Sequence, residues 1–362
     1  MTNNNQAQNK FDRFLSPALL AALQPQVAPK WWMAMAADED LFIAPRDGYL
    51  NVYYRGNSLV KLTAASDGSL VGEVNYKYLL RPDLKDCLWR MTHDGQIVGD
   101  LAGQVPLSDF FHDLNDLEGL KKASKRFAGV EKEGVARIAA RQSNVIDLEV
   151  AFGSGPVGNG KAEIPRLDLV ALHSYTNKKA QDVDFGQALV FYEAKHYSNP
   201  ELRASGSTEA PVVAQMKKYA QALSDRRHQI VEAYRAQCEY ILRTQYASDS
   251  APKVGDMSKL GMRRRRLESI VKYPEKLYLA LLPRLLIYGF DEAQKMSPGW
   301  MKHVQKLKDS LAENRVIARG DAAEIRLEGV LPLDGEVWKP SGSVEVSALG
   351  QALRNDKDVL YG

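Results

Sequence analysis

Four short, mostly hydrophobic stretches stand near the start of the chain: Leu41–Pro45, Tyr49–Tyr54, Ser58–Thr63 and Leu70–Tyr78. Each is rich in β-branched and aromatic residues. Asp47-Gly48, Gly56-Asn57 and Asp67-Gly68 separate them, and these residues tolerate the positive φ of tight turns. The pattern predicts a small antiparallel sheet of about four strands. A short helical stretch (Phe11–Leu23) and the Trp31-Trp32 pair precede it, and a mixed linker (Asp83–Asp116) follows.

From Leu117 to Arg141 the period changes to helical, with Leu120, Phe127, Val135 and Ile138 on one stripe. Three extended runs follow: Val145–Phe152, Arg166–Leu172 and Ala188–His196. The last two are almost continuously apolar, as strands covered on both faces are. Pro211 then opens a long helix with Val212, Met216, Tyr219, Leu223, Ile230, Tyr234 and Ile241 at three- and four-residue spacing. A polar loop carrying Arg263–Arg266 leads to strands at Lys276–Leu282 and Leu285–Phe290, and then to a helix around Trp300–Leu311. The fold class predicted is α/β, with an α-β-β-β-α-β core around a mixed central sheet and a small antiparallel β domain before it. The expected segments are a flexible start (1–30), the β-rich domain and linker (31–115), the core (116–295) and a C-terminal helix with extension (296–362).

Composition narrows the setting more than the chemistry. With 362 residues, 45% of them hydrophobic, the chain can bury a large core without covalent staples. A formal charge of 48 − 45 = +3 means that any basic footprint must be local. Cys87 and Cys238 have no Cys or His at ligand spacing, which argues against a disulfide framework or a cysteine-rich zinc site. The first ten residues are amide-rich and carry no secretory pattern. The longest apolar run, Leu277–Phe290, is interrupted by Pro283 and Arg284 and is too short to span a bilayer. A soluble cytoplasmic protein with no membrane partner is expected.

The informative feature is charge inside apolar strands. Glu193 and Lys195 interrupt Ala188–His196 and, two apart, leave the same face. Asp168 sits in an equally apolar run, 193 − 168 = 25 residues earlier, and the polar stretch Ser174–Gly186 can close a hairpin between them. Two carboxylates at one point repel unless a cation lies between them. A hard divalent ion, Mg²⁺ or alternatively Mn²⁺, suits such oxygen ligands. The bland alternative is a buried structural ion pair between Glu193 and Lys195.

Asp168, followed on the next strand by Glu193-Ala194-Lys195, resembles the signature of the PD-(D/E)xK nuclease superfamily. Gln215-Met216-Lys217-Lys218-Tyr219 looks like the Gln-xxx-Tyr helix element of its exonuclease-like branch. The resemblance covers roughly Leu117–Phe290 and departs at Leu167, where the family usually has proline. It implies a restriction-endonuclease-like core and a Mg²⁺-dependent endo- or exonuclease. In that reading Asp168 and Glu193 are metal ligands, Lys195 assists water attack, and Gln215 and Tyr219 lie beside them. It also implies a nucleic-acid partner, DNA first, with a homodimer left open. The family often adds an acid from the first helix. Periodicity counted from Phe127 favours Glu131 for that place; Glu149 competes, although Asp147 on its face suggests a solvated side. The alternative function is a non-cleaving nucleic-acid-binding or scaffold protein that keeps this core.

Other motifs read as decoys. Gly153–Gly158 and Gly155–Lys161 match phosphate-loop patterns, but Ala162 supplies no hydroxyl and Pro165 leaves no room for a helix. Pro82–Lys85 imitates the nuclease signature outside any apolar strand. Arg263–Arg266 could grip phosphates or be a solvated loop. Tyr49, Tyr53, Tyr54, Arg55, Lys61, Tyr76 and Lys77 could form a stacking platform for single strands, though aromatics suit any sheet. His196, opposite in direction to Lys195, is expected to pack.

Overall fold

A computed structural model describes residues 11–75, 78, 89–99, 114–152, 165–177, 184–205, 208–246, 256–327 and 337–355. The chain is mixed α/β, with one antiparallel sheet and one mixed sheet that contains parallel pairs. It divides into two compact units. One comprises residues 13–136 and 236–267; the other comprises 1–12, 137–235 and 268–362. This division differs from the expected segments: residues 116–136 and 236–267 group with the β-rich part. Within 1–30, Phe11, Leu15, Leu19 and Leu23 are buried, so the described part of that segment is packed. The first ten residues lie outside the described residues, as do 82–85 and the glycine-rich stretch 153–164.

In the β-rich unit, helices α1 (Pro17–Ala22) and α2 (Lys30–Ala37) precede strands β1 (Leu41–Arg46), β2 (Tyr49–Tyr54), β3 (Asn57–Ala64), β4 (Leu70–Val74), β5 (Trp89–Met91) and β6 (Ile97–Gly99). They form a six-stranded antiparallel meander in chain order, two strands longer than the spacing predicts. The extra pair falls within the expected linker, where three-residue strands carry too little alternation to be read. Trp31, Trp32, Met35, Leu19 and Leu23 pack on the inward residues Ile43, Val52, Val60 and Leu62. Between β2 and β3 the turn is Arg55-Gly56, one residue earlier than expected, and both residues have positive φ (47° and 74°). That is the backbone a two-residue hairpin of the right twist requires. Tyr49 and Tyr54 already carry cations of this unit: Lys61 stands 5.0 Å from the Tyr49 ring and Arg55 5.5 Å from the Tyr54 ring. Tyr53 is buried. The described platform residues are thus engaged in packing.

The helical stretch after the linker is two helices, α3 (Leu114–Lys125) and α4 (Val130–Ala140), broken at residues 126–129. Lys121 on α3 is a buried hub, paired with Asp38 (2.8 Å), Asp40 (3.2 Å) and Glu118 (2.6 Å). Burial alone would pull this ammonium down, but the three carboxylates outweigh it and hold its pKa up.

The mixed-sheet unit contains β7 (Val145–Ala151), β8 (Arg166–Asn177) and β9 (Asp184–His196) as an antiparallel meander. Along the chain, helix α5 (Pro211–Asp225) follows, then α6 (Arg227–Gln245) and α7 (Lys259–Lys272), whose residues 236–267 belong to the β-rich unit. The expected single helix from Pro211 is interrupted at Arg226, whose ψ of 15° ends the first segment. Arg263–Arg266 lie within α7, not in a loop, and Arg263 is buried. The chain then returns to β9 through β10 (Leu277–Ala280) and β11 (Arg284–Tyr288), both parallel to it. β10 pairs with the first part of β9 and β11 with the last part. They lie end to end along one edge, parted by the Pro283 interruption. Arg315 donates Nε and Nη2 to the Pro283 carbonyl (3.1 and 2.9 Å). After α8 (Glu292–Lys295) and α9 (Pro298–Leu311), β12 (Val316–Ala318) adds parallel to β11 and β13 (Val337–Trp338) antiparallel to β10. Helix α10 (Ala348–Asn355) ends the described chain. Among the described residues no helix is long and apolar enough to cross a membrane.

Gly56→Ala should test the turn of the β-rich unit. Its φ of 74° strains an L side chain, and the added Cβ would lie 2.8 Å from Lys132 Cβ and from the Lys132 carbonyl oxygen. The expected loss exceeds about 1 kcal/mol, read as a lower urea midpoint than wild type.

Candidate functional site

The site grows out of strand register. Leu169 pairs with Tyr192, so the next rung sets Asp168 opposite Glu193 on the same face of the sheet. The Ala194 N–H donates to Asp168 Oδ2 at 2.7 Å, which ties the carboxylate to the neighbouring strand. Two residues along β9, Lys195 Nζ lies 2.8 Å from Glu193 Oε1. Glu193 is 3% exposed and Lys195 9%. Asp168 is crowded by protein yet keeps part of its surface open to solvent. These three predicted residues are therefore brought together.

On the other side of β8, Leu148 pairs with Leu169 and Val150 with Leu167, which sets Glu149 opposite Asp168. Glu149 adopts φ 52°, a strained conformation for a non-glycine residue inside a strand. It pairs with Arg166 at 3.2 Å. The side of β7 expected to be solvated is not: Asp147 is fully buried and accepts from Tyr234 Oη at 2.9 Å. Glu131 is exposed in the first turn of α4, off the buried stripe. The count that favoured it began at Phe127, which lies in the break between α3 and α4, so its angle does not carry over.

Helix α5 supplies the predicted pair. Gln215 Nε2 donates to Tyr219 Oη at 2.7 Å, and Gln215 Oε1 is buried without a hydrogen-bond partner among the described residues. Burial pushes the Tyr219 hydroxyl up, and the nearby Glu193 charge adds to this. A residue that sequence reasoning missed is Glu201, in the 3₁₀ turn Pro200–Leu202 just after β9. Its Oε2 lies 2.9 Å from Lys195 Nζ, close enough for an ion pair although outside hydrogen-bond geometry. Only its position shortly after the strand could have pointed to it. His196 contacts Ser198 (Nδ1 to Oγ, 2.7 Å) and the Tyr288 ring.

The electrostatics favour a cation. Burial, then the Glu193 charge, raises the Asp168 carboxyl well above the ordinary carboxylate range. For Lys195, burial acts downward, but Glu193 and Glu201 overcome it and hold the ammonium charged. One ammonium shared by two carboxylates leaves little to neutralise Asp168. Asp168 and Glu193 supply carboxylate oxygens, the donor type that a hard divalent ion takes. Among the described residues no group of three His, Cys, Asp or Glu is arranged to hold a metal ion, so water or substrate oxygens would have to complete the shell. Comparison of the chain with models of protein families, with curated proteins and with solved structures finds no match.

Asp168→Asn can keep the contact from Ala194 while removing the buried charge. Because the folded carboxyl has a raised pKa, it takes stability away as pH climbs from the unfolded value toward the folded one. In EDTA, the variant should equal or exceed wild type in denaturant midpoint at neutral pH and lose that part of the pH slope. A clear drop in midpoint would instead mark Asp168 as a structural anion.

Proposed function

We propose that this chain is a divalent-cation-dependent nuclease hydrolysing phosphodiester bonds, with DNA as the first substrate, built on a restriction-endonuclease-like core. The observation that carries the reading is the cross-strand pairing of Asp168 with Glu193 and the ammonium of Lys195 on the same face. The element order supports it: a helix, an antiparallel three-strand meander, a helical crossover and strands parallel to β9. Keeping costly charges inside a sheet is the pattern of a site more than of a scaffold.

In this reading Asp168 and Glu193 hold Mg²⁺ or Mn²⁺, which would acidify a bound water and offset charge on the phosphoryl oxygens. Lys195, held charged between Glu193 and Glu201, is placed to stabilise negative charge developing on the phosphate and to orient the attacking water. The Gln215–Tyr219 pair would position substrate, with the Gln215 carbonyl accepting from it or from a water. Glu149 is a second-row acid that deepens the negative potential at Asp168.

One observation favours the non-cleaving alternative: Lys195 is already paired with two carboxylates. The experiment is direct. Purified protein is incubated with linear, circular and single-stranded DNA and with RNA, in Mg²⁺, Mn²⁺ or EDTA. Asp168→Asn, Glu193→Gln and Lys195→Met should each lower cleavage by at least about a hundredfold while the circular dichroism stays native. Cleavage at wild-type rates by all three variants would overturn the assignment.

A further inference from the structure

We propose that the basic face of α9, together with Arg203, holds the phosphodiester backbone of the nucleic acid; this rests on the nuclease reading above. Arg203 directly follows the turn Pro200–Leu202, whose Glu201 pairs with Lys195, so the strip begins beside the candidate site. The Arg203 guanidinium lies 5.1 Å from the Tyr197 ring and 5.5 Å from the Trp300 ring, and its Nη1 donates to the Asn199 carbonyl at 2.8 Å. A guanidinium held in this way loses little freedom on meeting a phosphate.

On α9, Lys302, His303 and Lys306 fall on one side of the helix, within one turn. Burial and then the charges of Arg203, Lys306 and Lys302 pull the His303 imidazole below its ordinary range, so three cations act on one ring. Lys302 is exposed and has no carboxylate partner among the described residues. Lys295 on α8 pairs with Glu292 (3.2 Å), and Lys308, on another side of α9, pairs with Glu313 (2.9 Å).

A groove of about 230 Å³ adjoins this face, where Lys306 and the hydroxyl residues Thr208 and Ser310 meet an apolar floor including Val213 and Leu307. The groove also carries two acids: Glu209, paired with Lys217 (2.8 Å), and Asp309, which accepts from the Gln305 amide (2.8 Å) and keeps its charge. A row of cations from Arg203 to Lys302 and Lys306, with hydroxyls beside it and the candidate site at its end, matches a polyanionic chain threaded toward that site. An acidic protein would meet the same cations, but it would have no use for the continuity with Lys195.

The test is fluorescence anisotropy with labelled single- and double-stranded DNA in EDTA, across a salt series, with the full chain. Lys302→Gln/Lys306→Gln should weaken binding about tenfold or more at low salt and reduce the slope of log K against log salt by about two. Lys302→Arg/Lys306→Arg should restore binding. Two lysines off the strip, Lys295 on α8 and Lys308 on another side of α9, serve as controls: Lys295→Gln/Lys308→Gln should change affinity less than about twofold. If wild type binds or cleaves DNA and Lys302→Gln/Lys306→Gln binds equally well, the strip is wrong and the nuclease reading stands. Wild type that neither binds nor cleaves any nucleic acid overturns both, and binding of a polyglutamate chain in preference to DNA overturns the choice of partner.

Discussion

Antiparallel register between β8 and β9 is the constraint on which the mixed-sheet unit depends. Side chains in a strand alternate with a period of two, so slipping β8 by one residue would turn Asp168 to the opposite face and bring Leu167 or Leu169 to the charged one. Long apolar runs on both strands make that slip expensive. The hydrogen bond from Ala194 to Asp168 adds a local lock, because a backbone donor of one strand is satisfied by a side chain of the other. Hydrophobic patterning thus does the positioning, and the charged residues ride on a framework that would form without them.

Much of the site could be read before any coordinates, and for the same reason. Charged residues stand out inside apolar runs, and period-two alternation says which share a face; Asp168, Glu193 and Lys195 follow from those facts alone. Gln215 and Tyr219 come from the resemblance to a Gln-xxx-Tyr element, and four-residue spacing adds only that they share a helix face. What escaped lay where periodicity stops. Glu201 sits in a 3₁₀ turn with no repeating pattern, and the φ of Glu149 is a backbone property that its side chain does not announce. Glu131 is exposed on α4, because the stripe counted from Phe127 does not continue across the break between the two helices. The strands Trp89–Met91 and Ile97–Gly99 were too short to alternate, while the arginine run of α7 looked polar enough to hide its helix.

The two units use charge differently. In the β-rich unit, Lys121 is surrounded by three carboxylates and serves as a post that ties α3 to the segment before β1. Every partner of that ammonium is accounted for, as a structural ion cluster requires. Around Asp168 the balance is incomplete: burial and a neighbouring carboxylate both oppose its ionisation, and the nearest ammonium is shared. Two clusters of similar composition therefore differ in how fully their charges are offset within the protein.

The divided edge of the mixed sheet has its own consequence. Because Pro283 separates β10 from β11, and Arg315 takes up the carbonyl exposed there, the next position is filled by two short strands running in different directions. Among the described residues this margin presents no long row of like-oriented amides that a neighbouring chain could zip onto. Self-association by edge-to-edge pairing is discouraged on that side, and two copies meeting there would have to use side chains instead of a shared backbone ladder.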